Sequence, residues 1–186
     1  MIIAQQKRKE NIVEYLLYMW QVEDLIRANH FDMEQIRHTL IDSYEQPEEV
    51  KQQIVRWYEE LIAMMRSEGV TESGHIQVNK NIIILLSDLH LQLLRDPKET
   101  VYGALFYKTL PFIIQLRSKS GGVEMSEIET CFTAVYGYLL LRMQQKEIRP
   151  ETLEGVKQIH TFLSFLGGKY QDYDGKDTPY PPADNT

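Results

Sequence analysis

The chain has 186 residues, a length that fits one domain with a sizeable hydrophobic core. Its hydrophobic fraction of 43% is that of an ordinary globular protein, and its net charge of -7 argues against a large nucleic-acid-binding surface. The single cysteine, Cys131, excludes an intramolecular disulfide and fits a reducing compartment. No apolar run reaches the ~20 residues that cross a bilayer. We therefore expect a cytoplasmic protein that binds neither nucleic acids nor membranes.

Apolar residues recur at helical spacing through most of the chain, and strand patterns are nearly absent. This periodicity predicts an all-α fold, a single-domain bundle whose consecutive helices pack as antiparallel neighbours. The domain spans residues 1–171, and residues 172–186 are predicted to form a flexible C-terminal tail. Seven helices are predicted, at about 5–29, 33–44, 47–68, 75–94, 96–117, 126–145 and 150–168, with a loop at 120–122.

The first predicted helix is apolar on nearly every side, which is typical of a buried helix. One face carries Ile12, Leu16, Met19 and Ile26, and further apolar residues fill the other faces. We therefore expect this helix to be central and largely buried.

Local signals predict where several helices begin and end. Asp32 and Ser126 are predicted N-caps, because their side-chain oxygens can accept hydrogen bonds from the first free backbone N–H groups. Gly69 is a predicted helix stop, and a Gly-Gly pair at 167–168 is predicted to end the last helix. Pro111 lies inside the fifth predicted helix and is expected to kink or split it.

Motifs that would identify a reaction or a metal are absent from the sequence. One Glu-x-x-His match, from Glu72 to His75, straddles a glycine in a predicted loop, whereas a di-iron bundle needs two such pairs. Cys131 stands beside Phe132 on a helix and is expected to be a buried, inert thiol. We predict no metal site and assign no cofactor and no catalytic residue.

Polar side chains on the otherwise apolar helices are the remaining candidates for a site. Burying such groups is costly unless they are paired, so they either line a pocket or pair with one another. Alternatively, these side chains face solvent on one side of the helix, where Glu23 and Arg27 have the i, i+4 spacing of an ion pair. The predicted ligand-binding residues, in a pocket between the first, fourth, fifth and sixth helices, are Glu14, Tyr18, Asp24, Arg27 and His90.

Residues 7–11 (KRKEN) and 14–27 (EYLLYMWQVEDLIR) resemble the opening of an uncharacterised bacterial family of similar length. That family is catalogued as a domain of unknown function, and the likeness extends to about Tyr170. The resemblance implies a bacterial, intracellular, single-domain protein. It transfers no activity, cofactor, partner or site residue to this chain.

The sequence leaves two classes of function open. The first is a non-catalytic protein that associates with itself, as a homodimer, or with another protein through an exposed apolar helix face. The second is a small-molecule-binding protein or enzyme that uses the predicted pocket. Convergence of the polar residues on a cavity would favour the second class, and mutual pairing would favour the first.

Overall fold

The computed structural model describes residues 2–119 and 125–174. Within these ranges the chain forms eight α-helices, one π-helical segment and no β-strand, so the all-α prediction is confirmed. No helix in the same ranges combines the length and apolar character needed to cross a membrane. The predicted loop at 120–122 and residues 175–186 of the predicted tail lie outside the described residues.

The helices follow one another with short connections. Their bounds are α1 Ile2–Glu10, α2 Ile12–Ala28, α3 Met33–Ile36, α4 Glu48–Ser67, α5 Gln77–Arg95, α6 Thr100–Lys119, α7 Glu127–Met143 and α8 Pro150–Asp174, with the π-helical segment Arg37–Ile41 directly after α3.

Contacts between residues group the chain into two compact units. The first comprises the described residues of Met1–Arg8 and Glu14–Leu85, and the second those of Lys9–Val13 and Leu86–Thr186. Helix α2 supplies most of its length to the first unit, and helices α6, α7 and α8 lie in the second. That the chain folds as a single domain stays a prediction.

The first predicted helix is divided at Asn11 into α1 and α2. Asn11 caps α2, since its Oδ1 accepts a hydrogen bond from the backbone N–H of Val13 at 3.0 Å. Helix α2 is largely buried, as predicted, and both Leu16 and Ile26 have no exposed surface. Local side-chain capping thus interrupts a helix that the apolar pattern alone predicts to be continuous.

The second predicted helix is also shorter and less regular than its apolar pattern suggests. Asp32 caps α3 as predicted, accepting hydrogen bonds from the N–H groups of Glu34 at 2.9 Å and Gln35 at 3.3 Å. The chain then widens into the π-helical segment, where Asp42 N–H donates to the carbonyl of Arg37 at 2.9 Å. Such widened turns are rare and often occur at functional sites.

Helix α4 ends at the predicted glycine. Gly69 has a φ of 68°, its N–H donates to the carbonyl of Arg66, and the N–H of Val70 donates to the carbonyl of Met65 at 3.0 Å. These two bonds form a Schellman motif, in which a left-handed residue satisfies the last free carbonyls of a helix. The predicted helix stop at Gly69 is therefore confirmed.

Helices α6, α7 and α8 pack against one another in the second unit. Ser126 caps α7 as predicted, its Oγ accepting a hydrogen bond from the N–H of Glu129 at 3.0 Å. Pro111 does not split α6, which continues to Lys119. The buried apolar residues of this unit include Tyr102, Phe106, Ile113, Phe132, Val135, Phe162 and Leu166.

Helix α8 does not end at Gly167 and Gly168, and that prediction is wrong. The helix continues to Asp174, so it also includes the first residues of the predicted tail. A Cβ atom on Gly167 would lie 3.0 Å from Cγ2 of Val13. The glycine therefore allows a close approach between packed segments rather than a helix end.

Candidate functional site

The predicted site residues of α2 are engaged in separate contacts. Glu14 accepts a hydrogen bond from Nζ of Lys7 at 3.2 Å, and its side chain is 59% exposed. Asp24 and Arg27 form an ion pair, with Nη1 of Arg27 donating to Oδ1 of Asp24 at 2.7 Å. Of the five predicted residues, the structure thus brings Asp24 and Arg27 together as a mutual pair.

Arg27 also holds the segment that joins α4 to α5. Its Nη2 group donates hydrogen bonds to the carbonyl oxygens of Val70, at 3.1 Å, and Gly74. Gly74 has a φ of 83°, which favours glycine at this point of the segment. The Arg27 side chain is only 15% exposed, and these bonds together with the bond to Asp24 give both of its Nη groups hydrogen-bond partners, whereas its Nε is buried without one.

Glu23 is a buried acidic residue, although its spacing from Arg27 predicts a surface position. It has no exposed surface and does not form the predicted surface pair with Arg27, so that prediction is wrong. Its Oε1 atom accepts hydrogen bonds from the N–H of Ile76 at 3.0 Å and Nδ2 of Asn79 at 2.8 Å. Its Oε2 atom lies 2.5 Å from Nδ1 of His75. A buried carboxylate is tolerated here because three donors surround it.

His75 is held on two sides. Its Nδ1 atom donates to Glu23, and its ring stacks on the indole of Trp20 with centroids 4.1 Å apart and an interplanar angle of 8°. At metal and catalytic sites, too, a carboxylate that is hydrogen-bonded to one imidazole nitrogen orients the histidine. Here the same carboxylate binds the N–H groups at the start of α5 and so ties that helix start to α2.

The sequence carried a partial signal for this cluster. Trp20 and Glu23 lie three residues apart on a helix that is apolar nearly all round, and a carboxylate there needs a partner. His75, however, lies 52 residues further along the chain than Glu23. The only local motif that contains His75 is the Glu-x-x-His match with Glu72, and Glu72 is exposed.

Tyr18, another predicted site residue, belongs to a group of tyrosines in the first unit. Burial and the neighbouring Tyr44 raise the pKa of Tyr18 to about 12. Tyr58 is 1% exposed, and burial, together with Tyr18 and Tyr44, raises its pKa as well. Burial also raises the pKa of Tyr44. The three phenols are therefore protonated at neutral pH.

His90, the fifth predicted residue, lies in the second unit and is 2% exposed. Its Nδ1 atom lies 2.7 Å from the hydroxyl of Tyr102, and its ring contacts those of Phe106 and Phe162 edge-on. Burial in this aromatic surrounding lowers the pKa of His90 to about 4. The imidazole is therefore neutral at physiological pH.

Cys131 and the metal-binding residue types are the remaining reactive groups. Cys131 is fully buried, as predicted, and burial raises the pKa of its thiol. Among the described residues, no group of three or more His, Cys, Asp or Glu side chains is arranged to hold a metal ion. That the five predicted residues form a ligand site stays a prediction.

Helix α6 exposes a row of apolar residues in the second unit. Val101 is 66% exposed, Tyr107 67% and Ile114 58%, and Ala104 and Pro111 are exposed between them. Their spacing of three or four residues places them on one helix face. We call these five residues, Val101, Ala104, Tyr107, Pro111 and Ile114, the α6 stripe.

A groove of about 630 Å³ lies beside the stripe, between α6 and α8. It has both apolar and charged lining residues, contributed by the middle of α6 and the first half of α8. We call it the α6–α8 groove, and its lining residues are Lys108, Pro111, Phe112, Pro150, Leu153, Glu154, Lys157, Gln158 and Thr161.

Comparison with known proteins identifies a family but no function. Residues 1–177 match the family described as Domain of unknown function (DUF4924), and the chain belongs to that family. No curated protein and no solved structure matches the chain.

Proposed function

We propose that this member of the DUF4924 family is a non-catalytic cytoplasmic protein that associates with a second copy of itself through the α6 stripe. The observation that carries the proposal is the exposure of Val101, Tyr107 and Ile114, each more than half exposed on one face of one helix. Contiguous exposed apolar surface of this kind commonly marks an interface. We propose no nucleic-acid or membrane partner.

The order of residues along the stripe fits a symmetric pair of copies. In a homodimer with two-fold symmetry, the same surface of each copy faces the other. If two α6 helices cross antiparallel with the axis between positions 107 and 108, Val101 faces Ile114 of the second copy and Ala104 faces Pro111. The large residues at the two ends of the stripe then face each other, Ala104 and Pro111 face each other further in, and the two Tyr107 side chains lie beside the axis.

Charge also favours this face over the rest of the surface. Each copy carries a net charge of -7, so two copies repel one another in general. Helix α6 contains no acidic residue, although Lys108 is exposed on the same side of the helix as the stripe, which is about 20 Å long at 1.5 Å per residue. Association through it therefore buries apolar side chains without bringing carboxylates together.

The contacts of the predicted ligand residues support association rather than catalysis. Asp24 and Arg27 pair with each other, and Glu14 pairs with Lys7. His90 is enclosed by aromatic rings in the second unit. Ligand binding by Glu14, Tyr18, Asp24, Arg27 and His90 remains the alternative proposal, with less support.

Sedimentation equilibrium over a range of protein concentrations tests the self-association. A contact made by one helix face is small, so we expect a dimer with a dissociation constant of about 1–100 μM. Tyr107→Lys should abolish it, because the two new lysines would join the two Lys108 side chains near the axis and four positive charges would then repel one another. Met143→Lys is the matched control, since Met143 is 70% exposed on α7 and the substitution changes the charge equally.

The proposal is supported if the wild type and the Met143→Lys control sediment with twice the chain mass of 21.9 kDa and the Tyr107→Lys variant sediments as a monomer. A monomeric wild type at about 1 mM, well above the expected dissociation constant, would contradict it. Loss of the dimer in both variants would also contradict it, because the contact would then not depend on the stripe.

A further inference from the structure

The α6–α8 groove has an apolar floor that depends on a glycine. A Cβ atom on Gly155 would lie only 2.9 Å from Cδ1 of Phe112, so a larger residue would displace the aromatic ring. Leu153 and the exposed Pro111 and Pro150 line the same groove. The groove therefore offers an aromatic ring and aliphatic walls to the apolar body of a ligand.

Two lysines give the groove its polar character. Lys108 comes from α6 and Lys157 from α8, and both are exposed. Among the described residues, neither ammonium group has a carboxylate oxygen within 4.0 Å, although Glu154 also lines the groove.

A hydrogen-bonded side chain forms one polar part of the groove lining. Nε2 of Gln158 donates to Oγ1 of Thr109 at 3.1 Å, and the Thr109 hydroxyl donates to the carbonyl of Leu105 at 2.8 Å. This chain of bonds holds the Gln158 amide in one orientation. Gln158 thus contributes a positioned amide to a groove whose lining also includes two lysines, Glu154 and Thr161.

We propose that the α6–α8 groove binds a small amphipathic anion, a carboxylate on an aromatic or aliphatic body. The volume of about 630 Å³ falls within the range of small-molecule sites. The apolar body packs on Phe112 and Leu153, and the carboxylate lies between the Lys108 and Lys157 ammonium groups. This proposal does not rest on self-association, although Pro111 belongs to both the stripe and the groove, and it concerns a different surface from the five residues predicted from the sequence.

Fluorine NMR of para-fluorophenylacetate, titrated with the full-length protein, tests the proposal. The neutral para-fluorophenylacetamide has nearly the same shape and is the ligand control. A ligand of about 11 non-hydrogen atoms is expected to bind with a millimolar dissociation constant. The acetate should bind more tightly than the amide, because only the acetate gains from the two lysines.

Substitutions in the groove assign the binding to this site. Lys108→Gln and Lys157→Gln should each weaken acetate binding about threefold, as expected for an exposed charge pair, and leave amide binding unchanged. Lys146→Gln removes the same charge from an exposed position outside the groove and should leave both affinities unchanged. Gly155→Ala should weaken both ligands by moving the Phe112 ring.

Equal affinity of the acetate and the amide would overturn the proposal, because the lysines would then make no contribution. Equal weakening by Lys108→Gln, Lys157→Gln and Lys146→Gln would also overturn it, since overall charge rather than the groove would explain the binding. No fluorine shift or broadening at ~10 mM acetate would overturn it as well, as that concentration exceeds the expected dissociation constant.

Discussion

Nδ1 of His90 lies 2.7 Å from the hydroxyl of Tyr102, inside a cluster of aromatic rings in the second unit. Burial lowers the pKa of this histidine from 6.5 to about 4. Between about pH 6.5 and 4, His90 is therefore neutral in the folded protein and protonated in the unfolded chain. This difference makes the stability of the fold depend on pH.

We predict that the His90 contribution to the free energy of unfolding falls as the pH is lowered from about 6.5 to about 4. The unfolded chain binds a proton through this range and the folded chain does not, so acid favours unfolding. The full difference of about 2.5 pKa units corresponds to about 3 kcal/mol. Urea denaturation of the wild type and of His90→Gln at several pH values measures this contribution to the free energy of unfolding.

His90→Gln retains a side chain that can bond Tyr102 but does not titrate, so its stability should depend less on pH. His160→Gln is the control, because it makes the same substitution at a histidine that is exposed on α8. Identical pH dependence of the wild type and His90→Gln would refute the prediction.

Glu23→Ala should destabilise the fold by about 3 kcal/mol, because it leaves the buried donors of Ile76 and Asn79 unsatisfied. Glu60→Ala, at an exposed position of α4, should change stability by less than about 0.5 kcal/mol. Chemical denaturation compares the two variants, and hydrogen exchange of the Ile76 amide reports the local effect. Equal stability of both variants would show that the buried carboxylate contributes nothing.

Gly168→Ala should stabilise the protein by about 0.5–1 kcal/mol, since alanine is the better helix former and α8 continues through this position. A Cβ atom there meets no atom within 4 Å. Gly69→Ala is the opposite case, because φ is 68° at this helix end, and should destabilise by about 1 kcal/mol. Thermal unfolding of both variants provides the comparison, and destabilisation by Gly168→Ala would indicate a helix end there.

Disulfide trapping tests the antiparallel arrangement of the proposed dimer. Tyr107→Cys alone, next to the proposed axis, should cross-link two copies under mild oxidation, and so should the double variant Val101→Cys with Ile114→Cys. Val101→Cys alone should not, because it faces Ile114 of the second copy. The natural Cys131 is fully buried and should stay unreacted. Efficient trapping by Val101→Cys alone, assayed by non-reducing electrophoresis, would contradict the antiparallel register.

Features encoded within a few residues were predictable from the sequence. The helical spacing of apolar residues, the caps at Asp32 and Ser126 and the left-handed stop at Gly69 all depend on neighbours within one helical turn. Burial of the first long helix was predictable too, since a helix apolar on all sides must avoid water. The cap at Asn11 is not evident from the sequence, because the apolar pattern continues past this residue.

Features that depend on partners distant in the sequence were decided by the tertiary structure. Gly167 and Gly168 resemble a helix end, but Gly167 packs closely on Val13 inside a continuous helix. Glu23 has the spacing of a surface pair with Arg27, yet its partner is His75, which lies 52 residues away. Hydrogen bonding and close packing act over a few ångströms of space, whatever the separation of the residues along the chain. A local sequence pattern therefore indicates which groups need partners, but only the folded chain determines which residues those partners are.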